Sequence, residues 1–230
     1  MGDTELVGHL YRRLIAFDLD GTLVDSRRDL SDSANDLVVE LGGAPLTEEA
    51  IGRMVGEGAG VLVARALAAA GLGDVPGARE RFLEIYDRRM LNFTRPYDGV
   101  ADAVRVARQH ARVTVLTNKP LAPSLRILEA LGLRDLFADV VGGDNPLGRK
   151  PDAAALWSMM RDAGATPETT LMVGDSAIDH ETAIRAGVQC CLVTFGFGYL
   201  NFPRERLTGA EWLAGDSGEL LACVRRFCAP

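Results

Sequence analysis

Two aspartates, Asp18 and Asp20, stand directly after a short apolar run in the stretch RLIAFDLDGT. The run RLIAF is typical of a buried strand, so both acids lie where that strand ends. Burial of a single carboxylate costs on the order of several kcal/mol unless it is paired or bound to a metal. These acids therefore either lie at the surface or are held beside a positive charge.

More polar side chains follow the later apolar runs. Thr117 and Asn118 come after RVTVL, Asp175 comes after TLMVG, and Asp179 lies about one helical turn further on. Lys150 lies in a connection, in the stretch GRKPD. Because the carboxyl ends of parallel strands meet at one edge of a sheet, we expect these side chains to gather around the first two aspartates. Asp18, Asp20 and Asp175 can then share a divalent cation, with Lys150 adding further positive charge.

The expected cation is Mg²⁺, which prefers oxygen ligands and often keeps places for water and a substrate phosphate. A metal, a lysine and a hydroxyl around a small pocket suit phosphoryl transfer, which depends on positioning and charge neutralisation. Asp18 could attack phosphorus and carry the phosphoryl group transiently. Asp20 could protonate the leaving oxygen and then deprotonate the hydrolytic water.

The charge balance restricts the classes of partner. The chain has 230 residues, with 25 basic against 32 acidic residues and a net charge of −7. This balance argues against nucleic acid as the main partner, because nothing in it would neutralise a phosphate backbone. A small phosphorylated metabolite remains a suitable partner if a divalent cation supplies the local positive charge.

The cysteines and the hydropathy bear on location. The four cysteines form no C-x-x-C pair, which favours reduced thiols in a cytoplasmic protein. No run reaches the roughly 18 apolar residues of a membrane span. The start MGDTELVGHL lacks the basic and apolar regions of a signal peptide. We therefore expect a cytoplasmic protein without a membrane partner.

The elements that must position these residues alternate between strand and helix in the second part of the chain, which predicts a parallel sheet with helices on both faces. Residues 28–95 instead show helical periodicity without a convincing strand. The simplest explanation is a helical domain inserted after the first strand. We predict an α/β core of residues 1–26 and 97–230 and an inserted all-helical cap of residues 27–96.

These motifs resemble those of the haloacid dehalogenase superfamily of phosphohydrolases. Four match in order: DLDGT at 18–22, Thr117 after an apolar strand, Lys150 in RKPD, and GDSAID at 174–179. The resemblance covers nearly the whole chain and implies a Rossmann-like core with a helical cap. It implies Asp18 as the nucleophile, Asp20 as the acid and base, and Thr117 and Lys150 as phosphate ligands. The implied Mg²⁺ ligands are Asp18, the backbone carbonyl of Asp20, Asp175 and, in support, Asp179.

Within the superfamily the chain resembles the phosphoglycolate phosphatase branch. Four stretches carry this: FDLDGTLVDS, MVGEGAGVLVARAL, LTNKP and GGDNPLGRKPD. Glu57 departs from the branch, in which asparagine is expected, and this departure bears on substrate choice. In the cap, Arg53 is a candidate for binding a substrate carboxylate, although a solvated helix face explains it equally well. Asn118 either contacts phosphate or only shapes its loop.

The predicted function is Mg²⁺-dependent hydrolysis of a small phosphomonoester, with 2-phosphoglycolate as the first choice. Alternatives on the same scaffold are a pyrophosphatase and a sugar-phosphate phosphatase or phosphomutase. Alternatives of a different class are a phospho-signalling module and a non-catalytic scaffold. The oligomeric state is left open between monomer and dimer. The stretch TFGFGYL, at 194–200, is predicted to be a flexible connection.

Overall fold

The structure is a computed structural model and describes residues 12–229. The α-helices are α1 (Arg27–Glu40), α2 (Glu48–Gly52), α3 (Ala59–Ala69), α4 (Ala78–Arg89), α5 (Val100–Arg108), α6 (Leu121–Ala130), α7 (Ala154–Ala163), α8 (Ala177–Ala186) and α9 (Ser217–Cys228). The strands are β1 (Leu14–Phe17), β2 (Val24–Asp25), β3 (Arg95–Pro96), β4 (Arg112–Leu116), β5 (Asp139–Val141), β6 (Thr170–Gly174), β7 (Gln189–Val193) and β8 (Trp212–Ala214). Helices and strands alternate from β3 onward, whereas α1 to α4 follow one another without a strand between them.

Six strands form one sheet in the order β5-β4-β1-β6-β7-β8, and every pair in it is parallel. Strand β1 is central, with Phe17 opposite Val115 of β4 and Val173 of β6. The chain builds the sheet outward from β1 first on one side and then on the other. In such sheets the crevice at this reversal, outside the carboxyl ends of the strands, is where ligands bind.

Helices cover both faces of this sheet, which confirms the predicted α/β fold. Strand β1 is fully buried, and its side chains alternate between two core clusters, as the two-residue period of a strand requires. Ile15 and Phe17 belong to one cluster, together with residues of α5, α6 and α9. Leu14 and Ala16 belong to the other, together with residues of α7 and α8. The strand residues LIAF are all apolar because both faces of the strand are buried.

Two short pieces of sheet were not predicted. Strand β8 has three residues and pairs with β7, with Leu213 opposite Leu192. A strand this short shows no alternation from which it could be recognised. Strands β2 and β3 have two residues each and pair antiparallel, with Val24 opposite Pro96. Because β2 and β3 pair with each other across a long stretch of the chain, no local sequence pattern predicts either of them.

The regular structure between β2 and β3 consists of helices α1 to α4. Their apolar faces join the first core cluster, which includes Leu37, Ile51, Leu67 and Phe82. The sequence predicts hinges near Asp25–Arg27 and Arg95–Gly99. The pairing of β2 with β3 brings these two segments side by side. The division into a core of residues 1–26 and 97–230 and a cap of residues 27–96 stays a prediction. Over residues 12–229, none of the helices combines the length and apolar character needed to cross a membrane.

A buried carboxylate ties the start of the helical insertion to its end. Asp29, in α1, is fully buried. Its oxygens accept hydrogen bonds from the backbone N–H of Phe93 at 3.0 Å and of Thr94 at 2.8 Å, and from the Thr94 hydroxyl at 2.8 Å. Removing this acceptor would leave buried donors without a partner, which costs more than the loss of an average hydrogen bond.

Replacement of Asp29 should therefore destabilise the protein. We expect Asp29→Ala to lower the free energy of unfolding by about 3 kcal/mol, measured by urea denaturation. The matched control is Asp102→Ala, which removes an aspartate whose side chain is 73% exposed and paired with Arg105, and it should cost less than about 1 kcal/mol. Equal losses in the two variants would contradict a structural role for Asp29.

Candidate active site

Three carboxylates meet at the carboxyl edge of the central strands. Asp18 follows β1 and Asp175 follows β6, and these strands are neighbours, so the two acids lie side by side. The N–H of Asp18 continues the ladder by donating to Val173 O at 2.9 Å. Asp179 lies in the first turn of α8. Each of the three acids offers an oxygen within 4.8 Å of the others, and all three are buried.

Lys150 places an ammonium among these acids. Its Nζ lies 2.8 Å from Asp18 Oδ1 and 2.5 Å from Asp179 Oδ1, and its side chain is buried. Burial lowers the pKa of Lys150, but the carboxylates of Asp179 and Asp18 outweigh it and leave the pKa above its ordinary value. The lysine is therefore a fixed positive charge beside the nucleophile that the sequence predicts.

Asp179 has a second set of contacts that fixes its position. Its Oδ2 accepts hydrogen bonds from the Ser176 N–H at 3.1 Å and the Ser176 hydroxyl at 2.6 Å. Ser176 is the N-cap of α8, and the two residues form a capping box. Asp179 caps a helix with one oxygen and approaches the lysine with the other.

Asp175 is held by a segment that the sequence analysis misjudged. The stretch 194–200 was predicted to be a flexible connection, but part of it forms the 3₁₀ helix Phe197–Asn201. Its Gly198 N–H donates to Asp175 Oδ2 at 2.7 Å. Burial raises the pKa of Asp175 well above its ordinary value, and Asp179 and Asp18 raise it further.

Glycines are required where this segment and the first turn approach Asp175. A Cβ on Gly21 or Gly196 would collide with the Asp175 side chain, and one on Gly198 would lie 2.8 Å from its Oδ2. The glycines of FDLDGT and TFGFGYL therefore allow backbone to close around a carboxylate. The glycine spacing in TFGFGYL was the only sign in the sequence of this contact.

The charges of the cluster fit a divalent cation. Three carboxylates and one ammonium leave two negative charges in a buried site, which are unfavourable unless compensated. Burial raises the pKa of Asp18 to about 6 against the opposing effect of Lys150. Asp18 Oδ1 is buried, and its charged contact is Lys150 Nζ at 2.8 Å. Oxygen donors of this kind suit Mg²⁺, and Asp18, Asp175 and Asp179 are the side chains that would hold it.

Asp20 lies apart from this cluster. Its carboxylate receives Lys119 Nζ at 2.8 and 3.0 Å and the Ser26 hydroxyl at 2.5 Å. Burial lowers the pKa of Lys119, but Asp20 and the nearby Tyr86 raise it above its ordinary value. The sequence analysis did not assign Lys119 or Ser26 to the site. The position of Lys119 next to Asn118, at the end of β4, was the available signal.

Thr117 and Asn118 follow β4 and are both buried. The Thr117 hydroxyl accepts the Lys119 N–H at 3.2 Å. Asn118 Nδ2 donates to the carbonyl oxygens of Gly56 and Lys150, both at 2.9 Å. This asparagine therefore links the helical insertion to the loop that carries Lys150, and its Oδ1 is buried without a hydrogen-bond partner.

The arginines of the insertion lie away from these groups. Arg53 pairs with Glu49, and its side chain is 57% exposed. Arg65 pairs with Glu57, the residue at which the sequence departs from the expected asparagine. Neither arginine belongs to the wall of the cavity described next. The structure thus does not bring Arg53 to the predicted site.

A small cavity lies between the helical insertion and the strand ends. Its volume is about 50 Å³, enough for a few water molecules at about 10–15 Å³ each. Asp18, Asp20, Thr117 and Asn118 line it from the sheet side. The lining from the insertion is formed by Leu30, Val55, Gly56, Gly58, Ala59, Leu62, Phe82, Leu83 and Tyr86. Asp18, the predicted nucleophile, and Asp20, the predicted acid, thus line the same cavity.

The contact of Gly21 with Asp175 can be tested against a matched glycine. Gly21 and Gly209 have φ values of +84° and +87°, but only Gly21 has atoms within 4 Å of an added Cβ. Gly209→Ala should cost about 1 kcal/mol from its backbone conformation alone. Gly21→Ala should cost about 2–4 kcal/mol, because crowding is added. Urea denaturation measures both, and equal costs would contradict the packing described for Asp175.

Comparison with known proteins agrees with this fold and arrangement. The family model of the haloacid dehalogenase-like hydrolases matches residues 15–193. A phosphoglycolate phosphatase of Rhodospirillum rubrum is 43% identical over 194 residues, which cover 80% of each chain. One of Cereibacter sphaeroides is 39% identical over 222 residues, covering 94% of this chain and 99% of its own.

Solved structures give the same result. The crystal structure of a predicted phosphoglycolate phosphatase from Haemophilus somnus has a TM-score of 0.85 and 29% identity to this chain. The match covers 94% of this chain and 99% of the other. The chain therefore belongs to the haloacid dehalogenase-like hydrolases, among which it is similar to phosphoglycolate phosphatases.

Proposed function

We propose that this protein is a Mg²⁺-dependent phosphatase that hydrolyses 2-phosphoglycolate through a phosphorylated Asp18. The observation that supports this best is the position of Asp18, which lines the cavity beneath the helical insertion and contacts Lys150 at 2.8 Å. Asp20 lines the same cavity without joining the carboxylate cluster. One acid is thus available as the nucleophile while the other is available for proton transfer.

The first chemical step uses Asp18 and Asp20. A carboxylate oxygen of Asp18 attacks phosphorus, and the bond from phosphorus to the glycolate oxygen breaks. Asp20 in its protonated form donates its proton to that departing oxygen, so glycolate leaves as the alcohol. Lys150, fixed by Asp18 and Asp179, keeps positive charge beside the attacking carboxylate.

The second step returns the enzyme to its starting state. Asp20, now a carboxylate, removes a proton from water, and the water oxygen attacks phosphorus. The bond between phosphorus and the Asp18 oxygen breaks, which releases inorganic phosphate. Thr117 and Asn118 lie beside this path at the end of β4. The Thr117 hydroxyl can donate to a phosphoryl oxygen, while Asn118 Nδ2 is occupied by the carbonyls of Gly56 and Lys150 and holds the loop that carries Lys150.

The cation would lie beside Asp18, among the charged side chains that surround it. We propose that Asp18, Asp175 and the backbone carbonyl of Asp20 hold it, with Asp179 in support. When bound, Mg²⁺ neutralises charge on the phosphoryl oxygens and on the carboxylates. Two excess negative charges among buried side chains support this assignment.

The lining of the cavity supports an organic phosphate as the substrate. Leu30, Val55 and Leu62 give the wall an apolar part that an inorganic anion such as pyrophosphate does not need.

A non-catalytic signalling or scaffold role has less support. Such a module needs its phosphorylated group accessible to a partner, whereas Asp18 is only 7% exposed beneath the helical insertion. The four cysteines are free, which supports the proposed cytoplasmic location. The proposed partner is a small phosphorylated metabolite.

The proposed intermediate can be trapped. The enzyme is mixed with Mg²⁺ and [³²P]2-phosphoglycolate, quenched in acid within milliseconds, and the protein-bound label is counted. We expect label on the native protein and none on Asp18→Asn, with kcat reduced by at least about 10³-fold. Asp102→Asn, at an exposed site, is the matched control and should retain both label and turnover. Undiminished label on Asp18→Asn would contradict the assignment of the nucleophile.

The substrate is tested with a panel. Phosphate release should favour 2-phosphoglycolate over pyrophosphate and glucose 6-phosphate by about a hundredfold in kcat/KM. Addition of EDTA in excess of the metal should abolish release from all three. Even activity across the panel would contradict the proposed substrate while leaving phosphatase activity in place.

A further inference from the structure

The cavity has an uneven distribution of charge. The residues that the helical insertion contributes to its wall are apolar apart from Tyr86, and none of them is charged. Within the described part of the chain, Lys119 is the single cationic residue of that wall. A substrate with a second acidic group, besides its phosphate, would have to be recognised without an arginine from the cap.

The ammonium of Lys119 is held inside the cavity wall. Its side chain is 5% exposed, and Nζ contacts both oxygens of Asp20 and lies 4.6 Å from the centre of the Tyr86 ring. An ammonium has three donors, and the two Asp20 oxygens occupy two of them. The third lies beside Tyr86, which raises the pKa of Lys119, so an acceptor in the cavity would meet both side chains at one place.

Tyr86 offers another donor at the same place. Its side chain is 3% exposed, and its hydroxyl is buried without a hydrogen-bond partner. Burial raises the pKa of Tyr86 to about 12, so the hydroxyl keeps its proton at neutral pH. Buried polar groups nearly always have a partner, and a ligand in the cavity would provide one.

The first turn of α3 forms the facing part of the wall. Gly56, Gly58 and Ala59 line the cavity, and no side chain caps this helix of 11 residues. Its free N–H groups and positive dipole end favour an anion. The hydrogen bond from Asn118 Nδ2 to Gly56 O, at 2.9 Å, holds this turn against the strand ends.

We propose that Lys119, the Tyr86 hydroxyl and the first turn of α3 form a carboxylate-binding subsite. This subsite recognises the acid group of a phosphorylated hydroxy acid and is the source of substrate preference. The inference rests on the proposed phosphatase function, because the phosphate end of the substrate is assigned to Asp18 and Lys150. Lys119 also orders Asp20, so its ammonium would couple recognition of the acid group to the position of the proton donor.

The test compares two substrates of similar size, 2-phosphoglycolate and ethyl phosphate, which lacks the carboxylate. The readout is the ratio of their kcat/KM values. A disturbance of Asp20 alone would lower kcat/KM for both substrates and leave this ratio unchanged. We expect the native ratio to be at least about a hundredfold. Lys119→Met should bring the ratio close to one, and Tyr86→Phe should lower it about tenfold. The matched control, Arg65→Met, removes a cation of α3 outside the cavity wall and should keep the native ratio.

Binding measurements separate this proposal from the proposed function. Calorimetry with 2-phosphoglycolate and ethyl phosphate, on the metal-free proteins, gives the same comparison without turnover. If Lys119→Met fails to fold, Tyr86→Phe alone carries the test. A native preference that survives in Tyr86→Phe and Lys119→Met would overturn the subsite but leave the phosphatase in place.

Two other outcomes are decisive as well. A native protein that treats both substrates equally, in turnover or in binding, has no carboxylate subsite. A native protein that releases phosphate from neither substrate would contradict the proposed function. In that case the subsite would stand only if the native protein binds 2-phosphoglycolate more tightly than ethyl phosphate and Tyr86→Phe weakens that preference.

Discussion

The ammonium of Lys150, shared by Asp18 and Asp179, is the interaction on which the site depends. Buried carboxylates repel one another and lose their hydration, so three of them within 4.8 Å need compensating charge. The lysine supplies one positive charge at 2.8 and 2.5 Å. We propose that the remaining excess of negative charge gives the site affinity for a divalent cation. The pairing of β1 with β6 and the helix start at Ser176 bring the three acids together.

The helical insertion completes the site by covering it. Asn118 donates both to Gly56 of the insertion and to the carbonyl of Lys150. The turn that ends at Gly58 is thereby fixed over Asp18 and Asp20. A partly apolar wall strengthens the electrostatic interactions beside it, because it replaces part of the surrounding water. The insertion contributes hydrophobic surface and a helix N-terminus to this cavity, but no charged side chain.

Much of this arrangement could be predicted from the sequence because it follows from chain-local signals. The run RLIAF identifies a buried strand, and TLMVG identifies another, so Asp18 and Asp175 are both recognisable as strand-end acids. Parallel strands then require them to share an edge. The helices could be predicted from their periodicity.

The parts that could not be predicted depend on contacts between distant residues. Lys119 meets Asp20 across 99 residues, and Tyr86 reaches the same cavity from α4 with no motif to mark it. Arg53 is the reverse case, because the sequence marks it as a candidate for binding a carboxylate, whereas the structure pairs it with Glu49, four residues earlier, at the surface. The direction of a side chain from a helix in an inserted domain depends on how that domain docks, which local sequence does not specify.

The most direct test of the central claim is a calorimetric titration of the metal-free protein with Mg²⁺, compared with Asp175→Asn. The account predicts one ion bound per native chain, together with a rise in Tm on adding Mg²⁺. In Asp175→Asn, which removes one of the three carboxylates and leaves Lys150 in place, both the heat of binding and the rise in Tm should disappear. Absence of binding to the native protein, or equal binding to the variant, would contradict the claim that the excess charge of this cluster binds the cation.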